Sequence, residues 1–208
     1  VLGESVQFTA AGLYANSEGR IRLEDAQLRS EGVELDALGD ISLSPFDATG
    51  RFSLSLDDAG RVQAGLSGPV TLVGEGDADG LLLRIEGDRL RGEGAPYALA
   101  SGLTGQGRVA FEDGLALSDL DLESRYVRVT GGLSRSRSNG EWEGQLDCAV
   151  DVEGLQTGGL SGVVAGAMTL DQREAGLSLR LQAQADTMTL GGTDLSDPVL
   201  RVEIDPNA

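Results

Sequence analysis

The spacing most suggestive of chemistry is Glu75-x-Asp77-x-Asp79-Gly80 followed by Glu86. Acids at alternate positions, a glycine for the sharp turn and a further acid six residues on resemble a calcium loop, where carboxylate oxygens surround a hard cation. The first ligand position, however, holds Glu where Asp is usual. The flanks Pro69 to Val73 and Leu81 to Ile85 read as strands, while that loop normally depends on two flanking helices. The segment is read as an acidic hairpin turn, and no metal is expected. Nucleophilic chemistry has less to work with. The chain has neither His nor Lys, so imidazole bases and Schiff-base amines are absent, and Cys148 has no imidazole to activate it. Carboxylate pairs such as Asp57/Asp58 fall in turns, where acids are expected anyway. Gly131-Gly132, Gly158-Gly159 and Gly191-Gly192 are followed by no helix, so they read as bends and not as phosphate loops. No catalytic residue, no cofactor and no enzymatic activity is expected.

Charge narrows the partners. The 34 acidic residues outnumber 16 basic ones, all Arg, for a net charge of -18. Such a surface repels phosphate backbones, so nucleic acid is excluded as a partner, and it argues against docking on an anionic membrane face. A single cysteine allows no internal disulfide. No run of 18 apolar residues is present to span a bilayer as a helix, and no signal peptide is visible. The chain begins at Val1 without Met and ends at Pro206-Asn207-Ala208. It reads as a segment of a larger protein, residues 1–208 forming one elongated, repetitive β domain.

The elements that hold these residues follow from period-two alternation, because successive side chains of a strand point to opposite faces. Trp142, Gly144, Leu146, Cys148, Val150 and Val152 fall on one face, and Glu141, Glu143, Gln145, Asp147, Ala149, Asp151 and Glu153 on the other. Phe52/Leu54/Leu56, Leu81/Leu83/Ile85, Leu177/Leu179/Leu181 and Leu200/Val202/Ile204 repeat the pattern. Between Leu115 and Thr130, helical spacing would place Ser118 and Asp119 on the apolar stripe. Leu120/Leu122 and Val127/Val129 instead fit strands interrupted by bulges or bends. Five acidic or polar turns end in glycine: Asp57 to Gly60, Asp77 to Gly80, Glu112 to Gly114, Ser138 to Gly140 and Arg173 to Gly176. Each is expected to join an antiparallel pair, for roughly 14 to 18 strands. Gly19 to Asp25 echoes Gly107 to Asp113, which suggests a repeated β-unit.

A sheet with one apolar face must cover it, and no amphipathic helix is available. A sandwich, a filled barrel and a trough filled by something else are the three solutions. Eight aromatics in 208 residues are few for a core of this size. A lining of Leu, Val, Ile and Ala suits flexible acyl chains, which need apolar area without directional contacts. Cys148 is read as a small apolar lining residue, and Trp142 fits either a lipid anchor or a core plug.

The texture of Leu23 to Leu43, of Leu117 to Leu133 and of Met188 to Val202 resembles the repeats of the TamB family, the large subunit of the translocation and assembly module. It is similar also to the wider AsmA-like group. The resemblance implies a mainly antiparallel sheet curled into a β-taco-like trough with a hydrophobic interior. It implies a periplasmic location, within an inner-membrane-anchored protein of a diderm bacterium. It implies a role in outer-membrane biogenesis, with phospholipid as the ligand and an outer-membrane barrel, TamA, as a partner of other parts of the full protein. The expected groove lining is Phe52, Leu54, Leu56, Leu81, Leu83, Ile85, Leu120, Leu122, Val127, Val129, Trp142, Leu146, Cys148, Val150, Val152, Leu177, Leu179, Leu181, Leu200 and Val202. The alternatives are a surface adhesin or autotransporter passenger with a filled core, and an outer-membrane barrel. Passengers favour Asn and Thr ladders, and barrels favour aromatic girdles.

Overall fold

Alternating Leu, Val and Ile with intervening Ser, Asp and Arg commits most of the chain to strands, and its glycines punctuate them. The computed structural model describes residues 6–15, 20–43, 46–77, 80–94, 97–111, 114–153, 159–173 and 176–204. Among these there is no α-helix, and eighteen strands form. The first half holds β1 (Val6–Ala15), β2 (Arg20–Ser30), β3 (Val33–Leu43), β4 (Phe46–Leu56), β5 (Leu66–Ser67), β6 (Val70–Asp77), β7 (Gly80–Gly87), β8 (Arg91–Gly92) and β9 (Leu103–Ala110). The second half holds β10 (Gly114–Glu123), β11 (Val127–Ser136), β12 (Trp142–Asp151), β13 (Leu160–Ser161), β14 (Val163–Arg173), β15 (Gly176–Gln184), β16 (Thr187–Leu190), β17 (Thr193–Ser196) and β18 (Val199–Ile204).

Thirteen of them make one sheet in the order β1-β2-β3-β4-β6-β7-β9-β10-β11-β12-β14-β15-β18. Every neighbouring pair is antiparallel. The sheet does not close, because β1 and β18 stand at opposite ends. Twelve inter-strand steps of ~4.8 Å give it a length of about 58 Å. The accessible surface is 13288 Å², against about 9,200 Å² for a compact monomer of this mass. The described residues form an elongated, curled antiparallel sheet, with neither a sandwich nor a closed barrel among them.

The two rims differ. At one rim β11 and β12 are joined by a short turn, and only two or three residues separate β6 from β7, β9 from β10 and β14 from β15. Of the five expected glycine-terminated turns, Ser138 to Gly140 sits there, and three others, Asp77 to Gly80, Glu112 to Gly114 and Arg173 to Gly176, include residues outside the described part. The fifth, Asp57 to Gly60, is no hairpin. Asp58 accepts hydrogen bonds from the backbone N–H of Gly60 and of Gly68, both at 3.0 Å, and caps a 3-10 turn over Ala59–Arg61. That turn opens an insert at the other rim, where β5 pairs with β8. A second insert there is the three-stranded β13-β16-β17 sheet. Its Gly191-Gly192 turn has positive φ at both residues, as a two-residue hairpin demands. Gly131-Gly132, expected as a bend, lies inside β11 instead.

Burial is concentrated where these inserts meet the sheet. Val33, Ala59, Leu90, Ala183 and Ala185 are the buried hydrophobic residues among those described, and no large side chain is fully enclosed. The expected irregularity after Leu117 is a bulge at which the register to β9 and β11 shifts. There Asp119 adopts φ 50°, a left-handed conformation that Asp tolerates better than most residues.

Candidate functional site

Residues opposite one another in an antiparallel pair share a face, so the register traces each face strand by strand. One row crosses all thirteen strands: Phe8, Leu28, Leu35, Leu54, Leu72, Ile85, Gly105, Leu122, Val129, Cys148, Gly166, Ala183 and Leu200. It contains no polar side chain. A second row carries Ala37, Phe52, Gly74, Leu83 and Gly107 through β3 to β9. Beyond the β10 bulge it continues as Leu120, Gly131, Leu146, Met168, Leu181 and Val202.

Seventeen of the twenty residues expected to line a groove fall on this one face through the register, Leu56, Leu81, Val127, Trp142 and Val150 among them. Val152 lies just past the end of β12 and is tied by its N–H to the Gly162 carbonyl at 3.0 Å. Leu177 and Leu179 keep their place in the β14–β15 register, but their side chains lie outside the described part. Sequence reading omitted Phe8, Leu72, Val109, Leu133 and Met168 from the face. The Val70-x-Leu72 alternation was a usable signal. For Met168 there was none, because Val163, Ala165 and Ala167 make the opposite side of β14 apolar as well.

Glycine is what shapes this face. Gly12, Gly39, Gly50, Gly74, Gly76, Gly87, Gly105, Gly107, Gly131, Gly144 and Gly166 all lie on it by register or parity. Large neighbours occupy the missing Cβ space. The Phe52 ring covers Gly74, Leu120 Cδ1 stands 3.2 Å from where a Gly107 Cβ would be, and Leu133 Cδ2 is 2.7 Å from that point on Gly144. The face is thus a smooth relief of side chains lying flat, which a single layer needs in order to curl without steric crowding. Leu54, Leu72, Leu83, Ile85, Leu122 and Leu146 are half-buried although no second layer of described residues covers them. At the sheet ends the same face opens fully, with Phe8 67% and Leu200 54% exposed.

The opposite face is ionic. Five cross-strand pairs, Arg22–Asp40 at 2.9 Å, Arg29–Glu34 at 2.9 Å, Arg84–Glu75 at 3.1 Å, Arg128–Asp121 at 3.3 Å and Arg180–Glu203 at 2.8 Å, lie there. Asp40 raises the pKa of the Arg22 guanidinium above its ordinary value, through their hydrogen bond first and its charge second. These exposed pairs are individually weak, but they keep charge off the apolar side and fix register. Glu75, the first residue of the calcium-like spacing, is engaged by Arg84 inside β6. Asp77 ends that strand, and Asp79 lies outside the described residues. Two open depressions of about 710 and 330 Å³ also lie on this side. Cys148 and Gly166 border one and Ile85 and Gly105 the other, but the side chains of Arg128, Asp147 and Gln182 in the first and of Arg84, Glu86 and Asp121 in the second belong by register to the ionic face, so neither is the apolar surface. A twisted sheet is concave along one diagonal of each face, which accounts for them.

No protein-family model, no curated protein and no solved structure matches this chain.

Proposed function

We propose that this chain holds or conducts phospholipid acyl chains, as a periplasmic segment of an outer-membrane biogenesis protein of the TamB or AsmA-like kind. The observation that carries the reading is the unbroken apolar row from Phe8 to Leu200, about 58 Å long, without a covering layer. Exposed apolar area of this extent on a single chain marks an interaction surface. Its partner needs apolar area and little else, because the face offers almost no directional polar group. Acyl chains meet that description, at ~0.8 kcal/mol for each buried CH₂.

The mechanism is passive. Tails lie on the Leu- and Val-rich face, and the acidic, ion-paired face keeps the sheet soluble between two membranes. No bond is made or broken, and the chain acts as a conduit and not as an enzyme. TamA would be met by other parts of the full protein. A filled-core adhesin is the rival reading, and the scarcity of buried large side chains counts against it. Native mass spectrometry of the purified chain tests the proposal. Phospholipid adducts that survive desalting are expected, and a lipid-free spectrum from cells rich in phospholipid would contradict it.

A further inference from the structure

The two faces are segregated almost completely by charge. Among the described, register-paired positions of the thirteen-stranded sheet, the apolar face carries one charged residue, Arg135 in β11. It sits directly opposite Trp142 in β12, at the short-turn rim. The other arginines of the sheet, such as Arg51, Arg84, Arg128 and Arg180, fall on the ionic face. Solubility does not require a cation here, and no ion pair among the described residues engages Arg135.

The side chain is nevertheless held in place. Its Nε donates to the Gly140 carbonyl at 3.2 Å, and its guanidinium carbon stands 5.8 Å from the Trp142 ring centroid. One of five N–H donors is used, which leaves the terminal amino groups free to bind an oxyanion in a fixed orientation. Inward from this pair the same face continues as Leu133 and Leu146, then Val129 and Cys148. Six residues of strand separate Arg135 from Val129, about 20 Å. A lipid tail of one leaflet, about 15 Å, fits on that stretch. The rim therefore offers a cation, an aromatic with a polar N–H and an apolar track in succession. That sequence matches a phosphate headgroup, its glycerol backbone and its tail.

We propose that Arg135, oriented by Trp142, is a headgroup subsite that binds the phosphate of a phospholipid whose tails lie on the apolar face. This rests on the acyl-chain reading above and adds where the lipid is anchored and in which direction it points. Trp142 is the only tryptophan of the chain, so its fluorescence reports on this position alone. The test titrates the full chain with short-chain phosphatidylcholine, with the diacylglycerol of matching tails and with inorganic phosphate. It follows Trp142 emission and counts bound lipid by native mass spectrometry. Arg135→Gln should weaken phosphatidylcholine binding roughly tenfold or more, the loss expected for a charge-assisted contact, and leave diacylglycerol binding unchanged. Arg128→Gln, on the other face, should alter neither. Equal phosphatidylcholine affinity in wild type and Arg135→Gln would overturn the subsite and leave the acyl-chain reading standing. Failure of both lipids to bind the wild type would overturn both. An Arg135-dependent response to inorganic phosphate alone would show a free-phosphate site instead of a headgroup site. Far-UV circular dichroism and Arg135→Lys, which keeps the charge and should retain part of the affinity, separate lost binding from lost folding.

Discussion

The ring of Phe52 in β4 lies in the space that a Cβ on Gly74 of β6 would need. Gly74 has no positive φ, so its requirement for glycine is steric and not conformational. Gly74→Val should cost about 1–3 kcal/mol through overpacking. Phe52→Ala should recover part of that loss in the double variant, with a coupling of roughly 0.5–3 kcal/mol. Urea unfolding of the four proteins measures the cycle, and strict additivity would show that the ring and the glycine are independent.

Much of this fold was legible in the sequence, for a physical reason. A period of two is a local property, so Trp142 to Val152 announces its apolar side without reference to any partner. Which strand lies beside which is non-local, but consecutive strands joined by Asp-Gly or Asn-Gly turns pair with their chain neighbours almost by necessity. The inserts were not legible, because Asp57 to Gly60 has hairpin composition and its cap depends on Gly68, ten residues away. Nor was the placement of Phe52 over Gly74, since neither residue indicates the other along the chain. Arg135 was invisible for a similar reason: in Leu133-Ser134-Arg135-Ser136-Arg137 it reads as one more solvated charge. Only the register places it on the apolar side.

Glu75 is bound to Arg84 across the antiparallel pair β6 and β7, so the calcium-like spacing from Glu75 to Glu86 should hold no ion. Calorimetric titration with calcium is expected to show no stoichiometric site, and chelation should leave the Tm unchanged. A micromolar site abolished by Asp77→Ala would contradict this.

The open sheet sets the shape in solution. A compact chain of 208 residues has a radius of gyration of about 17 Å. Small-angle scattering of the monomer should give a clearly larger radius and a maximum dimension of roughly 60 Å or more, as thirteen strands at ~4.8 Å require. A compact, isotropic particle would mean that the sheet has folded onto itself.

The central claim is that the apolar face is covered by lipid and not by protein, and Leu181 tests it most directly. Leu181 faces Met168 in β14 and Val202 in β18 and is only half-buried. In a close-packed core, truncating a leucine costs about 2–5 kcal/mol and an unpaired carboxylate costs more. On an open face the new carboxylate is hydrated once lipid leaves. Leu181→Asp should therefore leave the delipidated chain folded, with its stability changed by less than roughly 1.5 kcal/mol, while the number of bound phospholipids falls. Urea midpoints and native-mass lipid counts on wild type and variant measure both halves. A folded variant stripped of lipid is the predicted result, and complete unfolding by this one substitution would contradict the account.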